Sequence, residues 1–218
     1  MTLKTYTNLI KNLPYLDQAF ETRKANWKRQ CEVNERFYQY CHIEFKGGTI
    51  KLSRQDLFDR SKDDFFKAIV SIIFWGYPKN MRGSLFTQIL NSVPTLQKAL
   101  PVYKDLNEEQ FLEICVKTKK TGVGLSTLTK ILYFFEYNID HHRCLIFDKR
   151  IIDVINDEQG FTELETLTKA GKITEFNKRN KYVAYLQLME DLSHENKYDA
   201  DKLELFLFSM GKNLKPSN

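Results

Sequence analysis

The run "KKTGVGLSTLTKILYFF" (residues 119–135) passes from lysines through a Gly-Val-Gly turn into a strongly apolar helix. A tight turn with positive φ favours glycine, and the first turn of the helix that follows leaves backbone N–H groups without partners. Bare amides beside cations make a seat for a phosphate. Upstream, Asn107 reads as the N-cap of "EEQFLEICVKT", a short helix with acids in its first turn. Two helices joined by a glycine turn form a helix–hairpin–helix. Lys119, Lys120, Gly122, Val123, Gly124, Ser126 and Thr127 are its candidate contacts to a DNA backbone, made without reading sequence.

Further along, "CLIFDKRIIDVI" (144–155) sets one aspartate, Asp148, between an apolar run and a helix. There it caps the helix and faces whatever lies beside the hairpin. Helical periodicity dominates the rest, with helices expected over roughly 54–76, 82–92, 94–100, 107–118, 125–137, 148–156, 160–169, 174–192 and 199–211. "PYLDQAFETRKANWKRQCEVNERFYQYC" (14–41) also reads as helical, whereas "IEFKGGTIKLS" (43–53) reads as a small β-hairpin around Gly47-Gly48. The tail "KNLKPSN" (212–218) reads as frayed. The fold class is all-α with one minor β element.

Composition bounds the function. A chain of 218 residues, 42% apolar and 28% charged, is one globular unit rather than a disordered one. Its net charge of +5 and pI near 8.9 lean toward polyanions such as nucleic acid. Cys31, Cys41, Cys115 and Cys144 are scattered, which points to reduced thiols in a cytoplasmic protein and against a disulfide frame, a zinc site or an iron–sulfur centre. No basic-then-apolar leader opens the chain, and the apolar run from Ala68 to Trp75 is too short to span a bilayer. The adjacent His141 and His142 read as a solvated loop, and no metal is expected.

Together these segments resemble the helix–hairpin–helix DNA glycosylase superfamily, whose signature is a GVG-type hairpin followed by an apolar-flanked aspartate. "GVGLSTLTKIL" is similar to the adenine-excising branch, and "LIFDKRI" to its aspartate segment. In 8-oxoguanine glycosylases a catalytic lysine stands where this chain has Ser126. "LELFLFSMG" (203–211) resembles their last helix, which implies that Phe208 stacks on a flipped base and Glu204 contacts its edge; a core place for Phe208 and a solvated face for Glu204 are the alternatives. "FWGYPKNMRG" (74–83) resembles a compact bacterial subgroup with an 8-oxoguanine-glycosylase-like fold, implicated in excising modified bases that include glucosylated cytosines of phage DNA. The resemblance places Asn80, Met81 and Arg82 in the gap left by the extruded base, a proline-containing loop with a helix cap being the alternative, while Trp75 and Tyr77 read as core. Lys149, Arg150 and Asp153 depart from the family pattern. The specific likeness covers 107–156, the hairpin and aspartate segment, and a looser one most of the chain. It implies a single unit over 1–218 of two helical lobes, with DNA across the cleft and Asp148 inside it.

Breaking an N-glycosidic bond builds positive charge on the sugar, which a fixed carboxylate stabilises while it orients the attacking water. One aspartate suffices when a flipped base is held in a pocket. With Ser126 at the lysine position, base removal by water without strand cleavage is expected; Lys130, one turn on, is the amine that would carry the other route. The leading expectation is a monofunctional, monomeric glycosylase acting on double-stranded DNA. It leans toward glucosylated hydroxymethylcytosine of phage DNA as antiviral defence, since Glu204 suits an exocyclic amine. The alternatives are an 8-oxoguanine glycosylase of base excision repair and a non-catalytic DNA-binding module, which has no need of a carboxylate that repels phosphate. No cofactor is expected, a monovalent cation at the hairpin turn apart.

Overall fold

The computed structural model describes residues 1–214, the Lys46 side chain apart. Residues 215–218 of the tail expected to fray lie outside the described residues. In chain order the elements are α1 (Thr7–Lys11), β1 (Ala19–Arg23), α2 (Lys28–Val33), α3 (Glu35–Glu44), β2 (Thr49–Ser53), α4 (Arg54–Ser61) and α5 (Phe65–Gly76). Next come α6 (Leu85–Ala99), β3 (Asp105–Leu106), α7 (Glu108–Lys119), α8 (Leu125–Phe134), β4 (Asn138–Ile139) and β5 (His142–Arg143). The chain continues through α9 (Lys149–Ile155), α10 (Tyr182–Asn196) and α11 (Ala200–Phe206), which runs on as one π-helical turn over Leu207–Gly211. The protein is mainly α-helical, as expected.

Helix α5 is the centre. Every residue from Ala68 to Trp75 is buried, so the helix is apolar on all faces and packs against β1, α4 and α8. It starts at Asp64, whose carboxylate accepts from the Lys67 amide at 2.8 Å. That cap ends the single helix expected over 54–76, because a chain turning at Lys62–Asp64 packs α4 beside α5. Around α5, the rings of Trp27, Phe74 and Phe86 interlock at centroid separations of 4.6 and 4.7 Å.

Several local expectations change. The Gly47-Gly48 turn joins α3 to β2, and no hairpin forms there. Instead β2 pairs antiparallel with β1, from Ala19 opposite Ser53 to Arg23 opposite Thr49, so the helical reading of 14–41 gives way to a strand in its middle. The periodicity of "AFETR" carried no warning, since its partner strand lies beyond α2 and α3. Helix α6 runs unbroken through Pro94, because Phe86, Ile89, Leu90, Val93 and Leu96 bury one continuous stripe that outweighs one missing amide bond. Residues 174–181 form turns in which Asn177 Oδ1 accepts from the Thr174 amide at 2.8 Å, which delays α10 to Tyr182. The segment over 160–169 is a 3-10 helix, Thr162–Leu167. The polar "NIDHHR" separator is itself a small hairpin, β4–β5, with β3 parallel to β4.

Candidate active site

The hairpin forms where the sequence places it. Asn107 and Gln110 exchange side-chain and backbone bonds in a capping box at the start of α7. The turn then needs one glycine only. Gly122 has φ +82°, and a Cβ there would meet the Leu85 carbonyl at 3.1 Å; Gly124 has ordinary φ, caps α8 and has open space around it. Lys119 and Lys120 are exposed, Ser126 is half-buried, and Val123 and Thr127 are buried. The Thr127 hydroxyl bonds to Tyr77 Oη at 2.8 Å, so the helix start offers backbone amides there and not that side chain.

The segment leading to Asp148 is buried from Cys144 to Phe147 and held by side chains. Tyr182 donates to the Leu145 carbonyl at 2.7 Å, Tyr185 to that of Ile146 at 3.2 Å, and the Phe147 amide to Thr129 Oγ1 at 3.1 Å. Asp148 is thereby fixed as the cap of α9, with Oδ1 accepting from the amides of Arg150 at 2.9 Å and Ile151 at 3.3 Å. Its other oxygen stands 3.5 Å from Lys130 Nζ, which also donates to Ser126 Oγ at 3.0 Å. The Lys130 side chain is 5% exposed, so its amine belongs to this site and not to solvent. Its stem passes over Gly76, where a Cβ would stand 3.1 Å from Lys130 Cδ.

Both groups line a cavity of about 150 Å³ together with Phe20 of β1 and Phe208 beyond α11. The two rings meet edge to face at 6.4 Å, and Arg150 lies 4.8 Å over the Phe208 ring. Trp75 is at once core and pocket wall. Glu204 lines the cavity too, and its burial is complete; no face of it is solvated. Its Oε2 sits 2.6 Å from Arg54 Nη2, a contact of charges without the alignment of a hydrogen bond, and Oε1 has no hydrogen-bond partner among the described residues. Burial raises the Glu204 carboxyl, Arg54 opposes it, and the outcome is a value pushed up to about 7. For Arg54 the pull of burial is outweighed by Glu204, and its guanidinium is held more firmly charged. Arg54 was missed in the sequence, although it shares the inward face of Leu57 and Phe58, where an arginine is out of place unless paired.

The remaining expected residues lie apart from the cavity wall. Asn80, with φ +102°, turns its amide inward to the Asn26 carbonyl and accepts from the Met81 amide, while Met81 is buried. Thr22 and Asn26 donate to the Pro78 carbonyl at 2.6 and 3.0 Å and pin this loop to β1 and the 3-10 turn after it, Lys24–Trp27. Of the three residues, Arg82 alone is exposed. Lys149 turns to Asp153 at 2.7 Å, and Lys212 joins it at 2.8 Å; bonds from these two lysines hold the Asp153 carboxyl below its usual range. His142 contacts Glu190, and among the described residues no group of three or more His, Cys, Asp or Glu could hold a metal ion. Among the described residues no helix is long and apolar enough to cross a membrane.

A family model described as "Putative 8-oxoguanine DNA glycosylase OGG-like protein" matches residues 14–208. No curated protein and no solved structure matches the chain.

Proposed function

The chain belongs to the OGG-like 8-oxoguanine DNA glycosylase family, and on that premise we propose that it flips a modified base out of duplex DNA and excises it beside Asp148. The observation that carries this reading is the convergence of a fixed carboxylate, a buried amine, three aromatic side chains and a buried acceptor on one cavity. A cavity of about 150 Å³ is large enough to admit a flat aromatic group. In this reading the base stacks against Phe208, Glu204 accepts from its inner edge, and Asp148 stabilises the cationic sugar. Lys119, Lys120 and the amides heading α8 grip the phosphate backbone, with the duplex lying across a cleft between two helical lobes. Arg82, exposed where Asn80 and Met81 are not, is the one of the three suited to enter the vacated stack.

Two nucleophiles fit the site. Water oriented by Asp148 gives simple hydrolysis, the monofunctional route. The placement of Lys130 favours a second route, in which its amine, once Asp148 has drawn off a proton, bonds to the sugar C1′ as the base departs with the bonding electrons. Borohydride trapping separates them: a covalent adduct lost in Lys130→Met supports the amine, and release without adduct supports water.

For the base itself, the family description favours an oxidised purine. Glucosylated hydroxymethylcytosine, the leading expectation from the sequence, becomes the second reading, in which Glu204 would accept from its amine while the hexose stayed outside the cavity; that outcome would make the protein a defence against phage DNA. Duplexes carrying each base, scored side by side for abasic sites by alkali cleavage, decide between them. Wild-type protein that leaves every modified duplex intact while binding it would favour the non-catalytic reading.

A further inference from the structure

The Arg54 guanidinium is locked on three sides. Nε donates to Gln18 Oε1 at 2.6 Å, Nη1 donates to Tyr133 Oη at 3.0 Å, and Nη2 faces Glu204 Oε2 at 2.6 Å. Tyr133 in turn donates to Asp201 Oδ1 at 2.7 Å, where Arg143 also reaches within 3.4 Å. Arg54 therefore cannot swing away, and one oxygen of Glu204 is committed to it. The other, Oε1, is fully buried and has no hydrogen-bond partner among the described residues, in a side chain that lines the cavity. An unsatisfied buried oxygen is costly unless a bound group completes it.

We infer that the Arg54–Glu204 pair sets the hydrogen-bond polarity of the pocket floor, so that its ionised form selects bases whose inner edge offers adjacent N–H donors over bases that set a ring-nitrogen acceptor beside an amine. The inference rests on the glycosylase reading. An ionised carboxylate only accepts, whereas a protonated one donates as well. Guanine and its oxidised forms present N1–H next to an amine, two donors. Cytosine and its hypermodified forms present the amine next to the N3 lone pair, which a carboxylate oxygen repels and a carboxylic acid satisfies. Arg54 is in this sense a specificity-determining residue that never touches the base.

The groups facing Glu204 are Arg54 from α4, Tyr133 from α8, Asp148 ahead of α9, Tyr185 from α10 and Asp201 from its own helix, with Lys130 lining the same cavity. Burial raises the Glu204 carboxyl, Arg54 opposes, and Asp148 and Asp201 add to the rise. Both forms of the floor are thus populated near neutrality, and its preference turns with pH.

The test is single-turnover release from two duplexes, one with 8-oxoguanine and one with glucosylated hydroxymethylcytosine, by wild type, Glu204→Gln and Arg54→Met. From about pH 6 to about pH 8 the ionised fraction of a group titrating near 7 grows roughly tenfold, so wild-type release of 8-oxoguanine rises by about that factor. In Glu204→Gln the amide carbonyl must face Arg54 and its NH₂ the base; release of 8-oxoguanine falls at least about tenfold and its pH profile flattens. Arg54→Met, losing the counter-charge, moves the midpoint of the profile to higher pH; should it not fold, Glu204→Gln carries the test alone. Base release with a wild-type pH profile in Glu204→Gln, or a wild-type preference for the glucosylated strand at high pH, overturns the inference and leaves the glycosylase reading standing. No release from either duplex, or from any other modified one, overturns both.

Discussion

At Asp148 a single side chain does two jobs with its two oxygens. Oδ1 is spent on the amides of α9, and Oδ2 is left to the cavity beside Lys130. Asp148→Asn keeps the cap and the shape while removing the charge, so excision measured under single turnover should fall on the order of a hundredfold or more. Duplex binding by the same variant, followed by anisotropy, should hold or tighten, since a carboxylate no longer faces phosphate. The aspartate was legible in the sequence because capping is a local signal. Glu204 was half legible: its spacing from Phe208 suggested a shared face, but its burial depends on Arg54, a residue far away in the chain. That burial has a pH signature. The Glu204 carboxyl rises from its ordinary 4.5 to about 7, so folding favours its protonated form. The stabilisation is complete below about pH 4.5 and is lost as pH rises through about 7, a swing on the order of 3 kcal/mol. Thermal melts of wild type should therefore weaken across that window, and those of Glu204→Gln should lack this component; parallel curves would refute the assignment.

At the scale of elements, the helix–hairpin–helix is the part the sequence conveys best, because glycine, capping residues and periodicity all act within one short stretch. What it could not convey is which glycine matters. Gly122→Ala puts a β-carbon into positive φ and against a carbonyl, a loss of about 1 kcal/mol or more. Gly124→Ala meets open space and should leave the melting temperature nearly unchanged. If the hairpin holds DNA, replacing Lys119 and Lys120 with alanine lowers the slope of log affinity against log salt by about one to two units. A slope unmoved by the double substitution would place the grip elsewhere. The strand pair β1–β2 is the opposite case. Nothing local marks "AFETR" as a strand, yet its pairing carries Phe20 to the cavity wall.

Across the whole molecule, the first residues close on the last helix. Leu3 and Ile10 are completely buried, Tyr6 packs on Phe206 at 5.2 Å, and Lys202 donates to the Lys11 carbonyl at 2.7 Å. This segment precedes the span matched by the family model, yet it backs the helix that carries Glu204. Deleting residues 1–13 removes two fully buried aliphatic side chains, worth about 1.5–3 kcal/mol each. A melting temperature lower by roughly ten degrees or more is expected, and a truncated protein that melts with the intact chain would show the clasp to be idle.

The order in which the cavity wall is written along the chain has a consequence for biosynthesis. Phe20, Trp75, Lys130 and Asp148 leave the ribosome before Glu204 and Phe208 do. Domains begin to fold while synthesis continues, so a nascent chain owns its hairpin and its aspartate before it owns a floor for the base or a ring to stack on it. A chain stalled or clipped before α11 carries the Gly-Val-Gly turn and Asp148 but lacks two walls of the cavity, Glu204 and Phe208.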